Sequence, residues 1–349
     1  MSRLSLVITG VGAVSSAGVG IEPLMEALHS GRRCFQPVPL EDLRQEGHEW
    51  APVTAFRVGD FMPPLKARKF DRSSQFAIAA AGMALKDAGL DGGGLDPKRI
   101  GIALGCGFGG ITNSEEFLKG YFSDGADGLI PMLFPNTVAN AAASNTSIEH
   151  GLKGPNVTMI QRFCSAESAL LMAQSFMEDG RADVMLVGGV DEITPLILRG
   201  FHEIGQLRLG GQGRGFTEGA GILVLERADH AAHRNARIRG RLHAVTTVGL
   251  LPMGREQEGV SRLLAGYPEP DLISLSGVAS GHPELTGLFP GVPRLDTGAL
   301  LGRSLAMGGI AMTAQLLTLS PAATGIHLAA SPEGPWYAVG FEGMVPTCD

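Results

Sequence analysis

Aromatic side chains are scarce in this sequence, 6% of 349 residues with only 2 tryptophans, and charge is scarcer than usual. Charged residues make up 18% against 44% hydrophobic, which excludes a disordered or coiled-coil chain, since both need far more polar and charged surface. No stretch reaches the roughly 18–20 apolar residues that a membrane span requires. Four cysteines, Cys34, Cys106, Cys164 and Cys348, are too few and too scattered for a disulfide framework or a metal-ligand spacing. With no signal-peptide pattern at the N-terminus, they read as reduced thiols of a cytoplasmic protein, and neither metal nor cofactor is expected. A net charge of −7 and a pI near 5.7 exclude a polyanion as main partner, because nucleic-acid affinity comes from clustered cations. Lysine is absent after Lys153, so no ammonium group is available to any site built by the last half of the chain.

What is abundant is glycine, 50 residues, placed where apolar runs end. "LSLVITGVGAVSSAG", "RIGIALGCGFGG", "ADVMLVGGVDE" and "GAGILVLER" each read as a buried strand that breaks into a loop. "RSSQFAIAAAGMALKDAGL" has a Ser-rich start, apolar residues three and four apart and a glycine stop, so it predicts a helix. The segment from Ile21 to Gly31 reads as another. "RIRGRLHAVTTVG", "DLISLSG", "TGIHLAA" and "WYAVGFEG" predict strands in the remainder, with "LAMGGIAMTAQLLTL" a helix among them. Alternating elements imply helices covering a sheet, in two related halves, 1–232 and 233–349, forming one compact unit.

The stretch "QRFCSAESALLMAQSFMEDG" raises the chemical question. Cys164 stands where an extended segment gives way to a helix carrying Ala166, Ala169, Leu170, Ala173 and Met177 at helical spacing. Free N–H groups and the helix dipole at that place favour a thiolate, and so a nucleophile. A buried structural thiol fits the same position. "GCGFGG" satisfies the GxGxxG spacing of a dinucleotide loop, but in so glycine-rich a chain, with no acidic residue at the distance that holds a ribose, the oxidoreductase reading is remote.

Several long motifs together resemble the β-ketoacyl synthases of fatty-acid and polyketide assembly. They are "VITGVGAVSSAG", "RKFDRSSQFAIAAAGMALKDAGL", "FPNTVANAAASNTSIEHGLKGPN", "CSAESALLMAQSFMEDGRADVMLVGGVDEITP" and "GRGFTEGAGILVLERADHAAHRNARI". The resemblance implies a thiolase-like five-layered αβαβα fold with two pseudo-repeated halves, the second shortened. It makes Cys164 the residue that carries an acyl chain as thioester, and it implies an acyl carrier protein as partner.

The same resemblance exposes departures. The family's first catalytic histidine falls on Ser276 in "DLISLSGVAS", its lysine on Gly298 and its second histidine on Arg303 in "GALLGRSLAMGG". Losing a positioned acid or base costs on the order of 10²- to 10⁴-fold, so little condensation is expected. Phe341 in "GFEGM" corresponds to the gating phenylalanine of an oxyanion loop, with Glu342 in place of a glycine and expected to face water. His282 is the histidine best placed to compensate, though it reads as a surface residue; His327 reads as a packed strand residue, and His150 and His202 have no supporting motif. Arg303 either contacts an acidic group of a carrier-bound substrate or forms an internal ion pair. The implied function is a chain-length-factor-like partner of an active ketosynthase, as heterodimer or homodimer. The alternative is a synthase or acyltransferase that works alone through Cys164.

Overall fold

The computed structural model describes residues 4–93, 95–207, 215–250, 254–332 and 334–344. The expected "GRGF" motif therefore lies partly, and Cys348 wholly, outside the described residues.

The first half contributes strands β1 (Leu6–Ser15), β2 (Ile100–Cys106), β3 (Asn156–Met159), β4 (Val184–Asp191) and β5 (Gly219–Arg227). Its principal helices are α1 (Arg72–Asp87), α2 (Ala141–His150) and α3 (Ser165–Glu178). The second half contributes β6 (Gly240–Val248), β7 (Leu272–Gly277), β8 (Arg294–Asp296), β9 (Thr324–Ala330) and β10 (Trp336–Gly343), with helices α4 (Glu256–Leu263) and α5 (Gly308–Thr318). Across the first half the strands run β3-β2-β4-β5-β1, and across the second β8-β7-β9-β10-β6. Counted in chain order within each half, both are 3-2-4-5-1. The parallel and antiparallel pairings repeat as well: β2 is parallel to β3 and β4 as β7 is to β8 and β9, and each half closes with antiparallel ladders. A short pairing of Leu6–Ile8 with Gly240–Leu242 joins the two sheets edge to edge.

Strand sequences here are apolar on both faces because both faces are covered. Val184, Leu186 and Val190 of β4 pack outward in the cluster that contains α1, whereas Met185 and Val187 pack inward with α3. β5 divides likewise, Ala220, Ile222 and Val224 outward and Leu223 and Leu225 inward. α3 and α5 lie between the sheets, α1 and α2 cover the first sheet, and α4 packs on β6 and β10. Five layers result, αβαβα, the thiolase-like arrangement. α1 begins where Asp71 accepts a hydrogen bond from the Ser74 amide, 2.8 Å, which satisfies one of the orphan N–H groups of a helix start. Among the described residues no helix is long and apolar enough to cross a membrane.

Candidate active site

Cys164 immediately precedes α3, with φ −119° and ψ 24°, and is completely buried. Three features build this corner. β2 passes beneath it at Gly105, where a Cβ would stand 2.3 Å from the carbonyl carbon of Ser165, so the close crossing requires glycine. The chain enters through Arg162 at φ 50°, a left-handed conformation that few non-glycine residues adopt. The second half then pins it: the Phe163 amide donates to Ser331 Oγ at 3.1 Å and the Ser165 amide to the Leu305 carbonyl at 3.3 Å. The Cys164 thiol donates to the Pro335 carbonyl at 3.4 Å, with the Ser331 hydroxyl 3.8 Å from its sulfur.

The helix-start position is as expected, but the inferred thiolate is not. Burial, and after it the Glu167 carboxylate in the same turn, push the Cys164 thiol well above its ordinary pKa, and the Ser331 hydroxyl opposes this only in part. The helix terminus supplies partial positive charge, while desolvation and a neighbouring anion both disfavour a second negative group, and they win. Iodoacetamide at neutral pH should therefore modify Cys34, which is partly exposed, well before Cys164 or the buried Cys106, as read by peptide mass spectrometry. Faster labelling of Cys164 would contradict this burial.

Ser276 is the penultimate residue of β7 and points at the start of α3. Its hydroxyl donates to Glu167 Oε1 at 2.8 Å and lies 3.2 Å from His327 Nε2. His327 stands on the neighbouring strand β9, in parallel register with Ser274. Its Nε2 is 2.8 Å from the same Glu167 oxygen, and its Nδ1 is 2.7 Å from Ser274 Oγ. In the tautomer that carries the proton on Nε2, the ring donates to Glu167 and its Nδ1 accepts from the Ser274 hydroxyl. His327 is buried, as its strand suggested, but as a member of a polar network rather than as apolar packing. Glu167 is itself fully buried against the first turn of α5. A Cβ on Gly308 would fall 1.9 Å from Oε1 and 2.8 Å from Oε2, so glycine there makes room for the carboxylate, and the helix N-terminus favours its charge.

The other two departure positions converge on the same place. Ser276, Gly298 and Arg303 line one cavity together with Gly277, Ser280 and Asp296, and its volume is only about 10 Å³, roughly one water molecule. Arg303 is 2% exposed. Its guanidinium lies over the rings of Phe216 (4.9 Å) and Phe163 (5.4 Å) and donates to the carbonyls of Leu207 (3.2 Å) and Gln206 (3.4 Å). Arg303 is thus packed inside the protein on two aromatic faces and two backbone carbonyls, contacts of a different kind from the ion pair expected for it.

Phe341 requires a correction. It is the sixth residue of β10, buried and paired with Leu242 on one side and Gly325 on the other, so it is on no loop and gates nothing from there. The turn that reaches the Cys164 sulfur is the one between β9 and β10, through Ser331 and Pro335. Glu342 beside it is partly exposed. His282 stacks edge-on to Trp336 at 5.2 Å, and burial lowers its pKa; it does not belong to the network at Glu167. His150 bonds the Ile78 carbonyl. The "GCGFGG" glycines face protein: Gly105 meets α3, and Gly110 meets the Asn136 carbonyl.

Two further buried acids brace the corner. Asp191 accepts from the Gly107 amide (2.7 Å), the Ser304 hydroxyl (2.5 Å) and the Ala306 amide (2.9 Å), tying β4 to the stretch after Arg303. Burial raises its pKa to about 6, and raises that of Glu192 to about 7 with Asp71 and Glu218 contributing. A carboxyl whose folded pKa lies above its unfolded value loses stability as pH climbs through that interval. Glu192→Gln should thus gain on the wild type by about 2 kcal/mol between pH 5 and pH 8, measured by urea denaturation. A difference independent of pH would place Glu192 in water.

A buried cysteine opens the central helix of a thiolase-type αβαβα fold, and strand ends of the second half converge on it. The model of the β-ketoacyl synthase N-terminal domain matches residues 5–231, and the chain belongs to this family. It is 32% identical over 254 residues to 3-oxoacyl-[acyl-carrier-protein] synthase 2 of Vibrio cholerae, covering 68% of this chain and 61% of the relative. The match thus spans about six-tenths of that relative's length. Two solved structures share the fold. The ishigamide ketosynthase/chain length factor has a TM-score of 0.82 at 22% identity, over 98% of this chain and 100% of that one. A type II polyketide-synthase ketosynthase in complex with its acyl-carrier protein has a TM-score of 0.81 at 21% identity, with the same coverage.

Proposed function

We propose that this chain is a chain-length-factor-like partner subunit of an active β-ketoacyl synthase, serving fatty-acid or polyketide assembly in the cytoplasm on substrates held by an acyl carrier protein. The observation that carries the proposal is the Glu167–His327–Ser276 network. The position of the family's first catalytic histidine holds a serine whose hydroxyl is committed to Glu167, and the position of the second holds an arginine wedged between Phe163 and Phe216. A thiol held well above its ordinary pKa, an occupied acid/base site and a cavity of about one water, all among the described residues, support the reading that this chain does not decarboxylate a malonyl unit alone. A homodimer would contain two such sites, so the productive pair is a heterodimer.

Residues 1–232 supply the pairing surface in this reading. β3 is the last strand of its sheet, an open edge that natural proteins rarely leave uncovered. Exposed apolar side chains accompany it, Ile160 just beyond the strand and Phe122, Met132 and Phe134 on the segment after β2. Residues 233–349 supply Ser276, Gly298, Arg303 and His327 to the rebuilt site.

A second reading, acyl transfer by Cys164 itself, is favoured by one feature, the buried pair that His327 of β9 makes with Glu167 in the cysteine's own helix turn. One substitution separates the two. In the complex with a ketosynthase, Cys164→Ala should leave elongation within a few-fold of the wild-type rate, whereas removing the ketosynthase's own cysteine should abolish it. Loss of product on Cys164→Ala would favour the transferase.

A further inference from the structure

Glu46, His48 and, from a distant part of the sequence, His202 meet at the edge of the first half, Glu46 exposed, His202 partly exposed and His48 buried. Glu46 and His48 follow the short helix Glu41–Gln45, and His202 lies in the last turn of the helix Pro195–Glu203. Glu46 Oε2 is 3.3 Å from His48 Nε2 and 3.1 Å from His202 Nε2. The imidazoles stand edge to face, 84° apart with centroids separated by 5.6 Å, and one ligand atom from each of the three residues lies within 4.8 Å of the others. Both Nε2 atoms converge on the same carboxylate oxygen. For a tetrahedral ion with bonds of about 2.0–2.1 Å, ligand atoms stand about 3.3 Å apart, which matches both measured separations.

We propose that Glu46, His48 and His202 form a site for one divalent ion of the zinc class, with a fourth position open to water. Two imidazoles and one carboxylate are the donor set of borderline ions and do not suit Ca²⁺ or Mg²⁺, which take oxygen shells. The ligands are already held in place. The His48 amide donates to the Leu43 carbonyl at 3.0 Å and the His48 carbonyl accepts from the Val38 amide at 3.2 Å, while Leu198 and Phe201 bury the helix that carries His202. Asp42 and Arg199 bridge the same two elements, so the ion adds a second clasp between them. That clasp lies four residues before Gln206, whose backbone carbonyl takes Arg303 and whose side-chain oxygen takes Arg162 at 2.7 Å. The ion therefore holds one wall of the rebuilt site.

The test uses the full chain without an affinity tag, stripped by chelator and titrated with ZnCl₂ in a calorimeter, then with Co²⁺ followed by visible absorption. One Zn²⁺ per chain with a micromolar Kd, a raised melting temperature and the strong visible bands of four-coordinate Co²⁺ are expected. His202→Ala and Glu46→Gln, both at the surface, should weaken binding at least tenfold, whereas His243→Ala in the second half should not alter it. Absence of saturable Zn²⁺ binding, or binding unchanged in His202→Ala, would overturn the site and leave the cluster a histidine–carboxylate ion pair only.

Discussion

His327→Leu should destabilise the protein by about 3 kcal/mol, the upper end of the cost of leaving a buried polar group without its hydrogen-bond partner. The imidazole is bonded at both nitrogens, to Glu167 Oε1 and to Ser274 Oγ, and both it and Glu167 are fully buried. A leucine of similar size would leave the carboxylate facing apolar surface, with only the Ser276 hydroxyl and the α5 terminus to receive it. Replacing both partners removes that penalty: Glu167→Leu combined with His327→Leu should be far less destabilised than His327→Leu alone, since apolar substitution of a whole buried pair is often neutral. Equal destabilisation in the single and double variants, measured by denaturant unfolding, would mean that the two groups do not act on each other.

Gly308→Ala probes the same network from the other side. The new methyl would stand 1.9 Å from Glu167 Oε1, far inside van der Waals contact, at a helix start that packs in the central layer. Overpacking of this kind costs typically 1–3 kcal/mol, and because the obstructing group is a hydrogen-bonded carboxylate the loss should fall near the upper end, about 3 kcal/mol. Glu167→Ala in the Gly308→Ala background should recover part of it. A Gly308→Ala protein as stable as the wild type would show that the carboxylate is free to move away.

Elements legible in the sequence were those with a period. Strands apolar on both faces and α1 fell where the pattern put them, because two-sided burial and a 3.6-residue repeat are local properties; the cap of α1 is Asp71, just ahead of the Ser-rich start that marked it. Cys164 was legible too, since a cysteine between an extended segment and a helix can be read within ten residues. The network behind it was not. Glu167 and His327 are separated by 160 positions and meet only because β9 lies beside β7 across from α3. The available signal was a single acid on the otherwise apolar face of "CSAESALLMA", which a local reading cannot pair. Phe341 failed for a different reason. "GFEGM" resembles a loop motif apart from Glu342, but "WYAVGFEG" reads as a strand, and the ladder to β6 and β9 decided between the two. The pKa direction of Cys164 was lost in the same way, because position on a helix is visible in sequence and burial beside Glu167 is not.

The central claim is that this chain does not decarboxylate malonyl units by itself and condenses only as one half of a pair. Carbon dioxide release from malonyl-acyl carrier protein measures it directly, with the chain alone, a ketosynthase alone and the two mixed. The account predicts background release for this chain, formation of a stable heterodimer, and elongation by the mixture to a product length that the ketosynthase alone does not set. Robust carbon dioxide release and elongation by this chain alone would contradict it, because catalysis would then be running through Ser276, His327 or Arg303 in a geometry that holds all three bound elsewhere.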